Sequence, residues 1–167
     1  RASEIPSGFL LTKLAHHWIR KVSGDWFITS LSAADHNVRM WAQYGGNHAG
    51  IKLTLRLPED MRGGVRRVRY EKPTRDDISK LIDPDLSPKE KGEIMKSLAT
   101  RKGKDWKHEE EFRWFFRHDL NIPGSSTKLL NGKMKAFIPF SDECIQRVTV
   151  GYRSSESLLT SLFEIRK

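Results

Sequence analysis

The sequence predicts an α+β fold, a single domain over residues 1–167 in which a mostly antiparallel or mixed sheet is flanked by helices. Three observations carry that expectation. The chain has 167 residues, which suits one domain and leaves little room for two. Apolar residues with eight Phe, five Trp and three Tyr are too abundant for a disordered chain. Segments of helical and strand periodicity follow one another in the order α-β-α-β-β-α-α-β-β-β-α, which fits neither an all-β nor a strictly alternating βαβ protein.

The elements follow from local pattern. Over residues 8–22, Phe9, Leu10, Leu14, Trp18 and Val22 recur near a 3.6 period and Gly24 stands at the expected stop, predicting a helix. Residues 25–32, rich in aromatic and β-branched side chains, predict a strand. A short helix is expected over 37–44, ended by Gly45, Gly46 and Asn47. Ile51, Leu53, Leu55 and Leu57 alternate with Lys52, Thr54 and Arg56, predicting a half-buried strand stopped by Pro58. After the Gly63-Gly64 turn, residues 65–70 predict a strand with Val68 and Tyr70 on one face and Arg67 and Arg69 on the other.

Helices are expected over 74–82 and 87–100, the second opened by Ser87, Pro88 and Glu90 in a capping-box pattern. Both are strongly charged, so 74–102 reads as a helical insertion packed on one side. Residues 121–127 predict a loop, 133–140 and 145–152 strands, and 154–165 a closing helix with Leu158, Leu159, Leu162 and Phe163 on its apolar side.

Composition excludes several classes. No run approaches the length of a transmembrane helix, and no membrane partner is expected. The chain opens on Arg1 without a charged-then-apolar leader, so no secretory signal is expected and the domain is expected to be incomplete at that end. Cys144, the single cysteine, has no partner for an internal disulfide, which points to a reducing, cytoplasmic setting. The six histidines (His16, His17, His36, His48, His108 and His118) show no i, i+4 ligand spacing, and no metal is expected. The sequence sets no oligomeric state.

Thirty Lys and Arg against 21 Asp and Glu give a net charge of +9, a field that attracts nucleotides or nucleic acid. Arg62, Arg66, Arg67, Arg69, Lys72 and Arg75 form one basic cluster, and Arg101, Lys102, Lys104 and Lys107 a second beside Trp106. Arg66, Arg67, Arg69, Lys102 and Lys104 are the candidate nucleic-acid contacts; the plainer reading is a solvated basic face.

Three segments could carry chemistry. On a strand running from Trp106 to Phe116, Glu109, Glu111 and Arg113 share one face, with His108, Glu110, Phe112 and Trp114 on the other. Two carboxylates about 7 Å apart beside a guanidinium can stabilise a developing positive charge or serve as a general base. A solvated acidic strand fits the same spacing, and a helix would make Glu109 and Arg113 an ordinary i, i+4 pair. Around Met40, Trp41, Tyr44 and His48, flanking glycines permit close approach of a ligand; a helix end with Trp41 in the core is the alternative. In residues 28–32, alternation puts Ser30 and Ser32 on one face, where hydroxyls can position a ribose or amide, or simply bond within the sheet.

Together these pieces resemble a bacterial family called domain of unknown function 2971. Its pattern is a strand ending in Ser, Met-Trp-x-x-Tyr, His-x-Gly leading a strand, Trp-x-x-Glu-x-Glu-x-Arg, and an apolar strand ending in Gly. Here these are Ser32; Met40, Trp41 and Tyr44; His48 and Gly50; Trp106, Glu109, Glu111 and Arg113; and Val148, Val150 and Gly151. The match runs from about residue 25 to 152. The family usually opens with an aromatic strand, where this chain has a predicted helix.

The order of a hydroxyl-bearing strand followed by a Glu-x-Glu strand is also similar to ADP-ribosyltransferases. That resemblance implies an ADP-ribosyltransferase-like fold with NAD as the nucleotide bound. It implies Glu111 as catalytic carboxylate and Glu109 as activator of the acceptor. Ser30 or Ser32 would support the nicotinamide side, with Tyr44 as stacking partner and His48 as a further cofactor contact. Trp41, Trp106 and Arg113 would support the site. The early Arg or His of those enzymes has no counterpart identified here.

Three functions are therefore expected in order. The first is an NAD-dependent ADP-ribosyltransferase-like toxin or phage-defence domain modifying nucleic acid or protein. A non-catalytic module binding RNA or DNA follows, and then a metal-dependent nuclease or hydrolase using Glu109 and Glu111.

Overall fold

The computed structural model describes residues 26–117, 124–139 and 141–165. The helix expected over 8–22, with His16 and His17, and His118 and residues 121–123 of the expected loop, lie outside the described residues. The architecture is α+β. Strands β1 (Trp26–Ser32), β4 (Glu111–Arg117) and β3 (Val65–Arg67) form one antiparallel sheet in that order. Strand β2 (Ile51–Leu55) pairs with β7 (Ile145–Val150), and β5 (Ser126–Leu130) with β6 (Lys133–Phe137), both antiparallel. The expected sheet is thus three small ones. The helices are α1 (Val38–Gln43), α2 (Glu59–Arg62), α3 (Arg75–Ser79), α4 (Pro88–Ala99) and α5 (Glu156–Ile165).

Local chemistry accounts for most boundaries. The Asn37 side chain accepts from the Arg39 and Met40 amides, starting α1 where expected. Thr74 with Asp77, and Ser87 with Glu90, close reciprocal capping boxes on α3 and α4. Strand β2 stops short of Pro58.

The core centres on β4. Its alternation sends Trp114 and Phe116 to one face and Phe115 to the other, and all three are buried. Phe27 of β1 stacks on Phe116 with centroids 5.5 Å apart, and Trp26 meets Phe115 edge-on. Val68 and Leu81 complete this core, and Cys144 is buried and free, as filler.

Four expectations are corrected. The strand expected from residue 106 begins only at Glu111: Lys104–Glu109 is a 3₁₀ turn, and Glu110 at φ 46° is left-handed. Ser126 and Thr127 belong to a strand that was expected to be loop. The missed signal is Asn131-Gly132, both at positive φ, which is the favoured two-residue hairpin turn. At the start of β2 the expected exposure is inverted: Ile51 and Leu53 are exposed and Lys52 is half-buried, its ammonium donating to the Asp35 carbonyl and carboxylate, whereas Leu55 is half-buried as expected. The strand expected over 65–70 ends at Arg67, although Val68 still donates its amide to the Glu111 carbonyl.

The helical segment 74–102 is tied into the core. Leu81 is 1% exposed, and the Arg69 and Lys102 amides donate to the Thr100 and Arg69 carbonyls. These bonds fix the backbone from which Lys102 projects.

Candidate active site

Register assembles the site. Pairing of β1 with β4 sets Ser30 opposite Arg113 and Ser32 opposite Glu111, so the four side chains share one face. The Ser30 hydroxyl donates to Glu111 Oε1 at 2.7 Å. The Ser32 hydroxyl donates to the Glu109 carbonyl at 2.6 Å, clamping the 3₁₀ turn to the sheet edge. From the next segment, Asn37 Nδ2 donates to the His108 carbonyl and docks α1 on that turn. About two turns on, the Tyr44 hydroxyl donates to Glu109 Oε1 at 2.8 Å.

The left-handed Glu110 reverses the chain, so Glu109 and Glu111 converge although only Glu111 lies on the strand. Each is 3% exposed. Between them stands Lys102, whose Nζ donates to Glu109 Oε2 at 2.5 Å and to Glu111 Oε2 at 2.9 Å. Arg113 Nε donates to Glu111 Oε1 at 2.8 Å, and its Nη1 to the Ala99 carbonyl. The Glu111 amide donates to the Tyr70 hydroxyl. Two buried anions are thus matched by two cations, the condition under which buried charge is tolerated.

Charge states follow. Burial opposes ionisation of Glu111, but hydrogen bonds from Arg113, Ser30 and Lys102 outweigh it and bring the carboxyl down to about 2. Burial likewise disfavours the Lys102 ammonium, and the bonds to Glu109 and Glu111 more than offset this, raising it above the ordinary lysine value. The hydrogen bond to Glu109, followed by burial, raises the Tyr44 phenol, so it remains a donor at neutral pH.

These groups line a cavity of about 180 Å³ formed by Ser30, Leu31, Ser32, Met40, Tyr44, Lys102, Glu109 and Glu111. Ser30, Leu31, Ser32, Met40 and Tyr44 also border a larger cleft of about 560 Å³, whose other walls include Trp41, Ile51, Leu53, Lys52 and Arg147. The volume is in the range of small-molecule sites.

Of the residues singled out from sequence, Glu109, Glu111, Ser30, Ser32, Tyr44 and Arg113 come together. His48 does not: it stacks on Trp41 and lies 4.9 Å from the Tyr152 ring, at the Gly45–Gly50 corner and away from the carboxylates. The positive φ values fall on Asn47 and His48 themselves as well as on Gly46. Trp41 packs against Gly45 and so supports that corner, and Trp106 lies 5.0 Å from the Lys102 ammonium. Gly151 is required because a Cβ there would strike the His48 carbonyl.

The basic candidates are dispersed rather than gathered on one face. Lys102 belongs to the carboxylate site, because two buried anions draw its ammonium inward. Arg69 is engaged by Ser97 and Glu71. Arg66 and Arg67 are successive on β3 and so point to opposite faces. Arg66 donates to the Gly63 and Val65 carbonyls, and Lys104 is exposed on the 3₁₀ turn.

Among the described residues no group of three His, Cys, Asp or Glu side chains is placed to hold a metal ion. The Lys102 ammonium occupies the point between the carboxylates that a divalent ion would take. No helix among these residues is long and apolar enough to cross a membrane. No family model, curated protein or solved structure matches the chain.

Proposed function

We propose that the chain is an NAD-dependent ADP-ribosyltransferase-like domain of the domain of unknown function 2971 kind, working in the reducing cytoplasm. The observation that carries this reading is the convergence of Glu109, Glu111, Ser30 and Tyr44 on the wall of a cleft. The residues present suit a nucleotide bearing a ribose. An anionic carboxylate and hydroxyl donors sit in a small recess, which shares its rim with a cleft walled by Trp41, Ile51 and Leu53.

With NAD bound, Glu111, anionic at neutral pH, would lie beside the ribose and would stabilise the positive charge that develops as the bond between the ribose C1 and the nicotinamide nitrogen breaks. The leaving nicotinamide takes the bonding electron pair. Ser30 and Arg113 keep the Glu111 carboxylate oriented, so little reorganisation accompanies the charge that develops. Glu109 takes the proton of the attacking acceptor, protein, nucleic acid or water, whose oxygen or nitrogen forms the new bond to C1. Lys102 offsets the repulsion between the two carboxylates and bridges them in fixed positions.

The test is release of nicotinamide and transfer of label from NAD by the wild type and by Glu111→Gln, with Ser87→Ala as a distant control. A loss of more than about a hundredfold in Glu111→Gln alone supports the reading. Equal turnover by Glu111→Gln and wild type, or none by any form across protein and nucleic-acid acceptors, refutes it.

A further inference from the structure

We propose that the β5–β6 hairpin is a docking surface for nucleic acid, engaged through its phosphates. Pairing sets Lys128 directly opposite Lys135, and Lys133 opposite Leu130. Cross-strand partners, and residues two apart on a strand, share a face, so all three ammonium groups rise from one side together with Leu130 and Phe137. No Asp or Glu occurs over residues 124–139.

Like charges directly opposite each other weaken a strand pair. This one carries such a pair, with a third lysine beside it and no acid in the hairpin to relieve it. A polyanion laid along that face removes the repulsion, and each phosphate neutralised releases condensed counterions. The same face offers an aromatic plane: Phe137 is exposed, and Lys128 Nζ lies 5.6 Å from its ring centroid. A phosphate-binding cation beside a ring is the combination that nucleic-acid surfaces use to hold backbone and base together.

Leu129 and Met134, paired across the strands on the other face, are exposed and project away from the lysines. A two-stranded ribbon with one cationic face is also of a size to enter the major groove of a duplex. The surface is independent of the carboxylate site and stands whether or not that site turns over NAD.

The experiment uses the whole chain with short fluorescein-labelled single-stranded RNA and a DNA duplex of equal length, titrated over a series of salt concentrations. The variant Lys128→Gln/Lys133→Gln/Lys135→Gln is expected to bind at least about tenfold more weakly near physiological salt. Its slope of log affinity against log salt is expected to fall by about 2 to 3, the number of phosphate contacts removed. The comparison variant Arg66→Gln/Arg67→Gln/Lys104→Gln is expected to keep the wild-type slope. Should the triple variant misfold, Lys135→Gln alone lifts the opposed charge; it is expected to keep or raise the melting temperature while lowering the slope by about one. Wild-type binding by the hairpin variants overturns the proposal. So does a loss confined to the comparison variant, or binding of phosphatidylserine vesicles without binding of either nucleic acid.

Discussion

Replacing Glu111 by Gln removes the charge around which Lys102, Arg113 and Ser30 are arranged, and its cost can be worked from the carboxyl's own titration. Folding brings that carboxyl from 4.5 to about 2. At about 1.4 kcal/mol per pH unit, the native interactions contribute about 3 kcal/mol. The folded value is depressed, so this stability is fully present above about pH 4.5 and is lost as pH falls towards 2. Glu111→Gln is therefore expected to be about 3 kcal/mol less stable than wild type at pH 7, about 1 kcal/mol less at pH 3, and nearly equal at pH 2. Urea unfolding of both proteins at several pH values reads the difference directly. Other carboxylates held low by their partners, such as Asp35 and Asp77, titrate in both proteins and cancel. A difference that stays constant from pH 7 to pH 2 refutes the account. It would mean that packing, rather than charge, sets the role of this residue.

Three further outcomes are expected. Tyr44→Phe deletes the donor to Glu109 and is expected to cost about 1 to 2 kcal/mol in urea unfolding, while lowering kcat for NAD turnover more than it alters KM. Ser87→Ala removes the capping box of α4 and is expected to cost about 1 kcal/mol, measured by thermal or urea unfolding, with turnover unchanged at temperatures where the protein is folded. Gly151→Ala forces a Cβ onto the His48 carbonyl; a loss of about 3 kcal/mol in chemical denaturation is expected, because backbone rather than a flexible side chain must yield.

Legibility followed the range of the interaction. Asn37, Thr74 and Ser87 act on amides two or three residues away, so their helix starts could be read from adjacent letters. The Asn131-Gly132 turn is equally local, but Ser126 and Thr127 continue a stretch of Gly and Ser that resembles loop and masks the strand before it. The inward turn of Lys102 is hidden for a different reason. Its neighbours Arg101, Lys104 and Lys107 mark a basic surface, and nothing nearby says that its ammonium turns inward to two carboxylates. The motif points His48 to the site, whereas stacking on Trp41 and a tilted contact with the Tyr152 ring hold it at the Gly45–Gly50 corner.

By itself the sequence determined the α+β class, most helix caps, the strand periodicities and the pairing of Glu111 with Arg113 on one face, since each depends on dihedral preference and side-chain period within a few residues. Tertiary structure alone decided that Ser30 meets Glu111 across 81 residues and Tyr44 meets Glu109 across 65, and that Lys102 joins the two acids. Strand register and the left-handed turn at Glu110 set those meetings, and a single residue of slip would have sent Ser30 and Glu111 to opposite sides of the sheet.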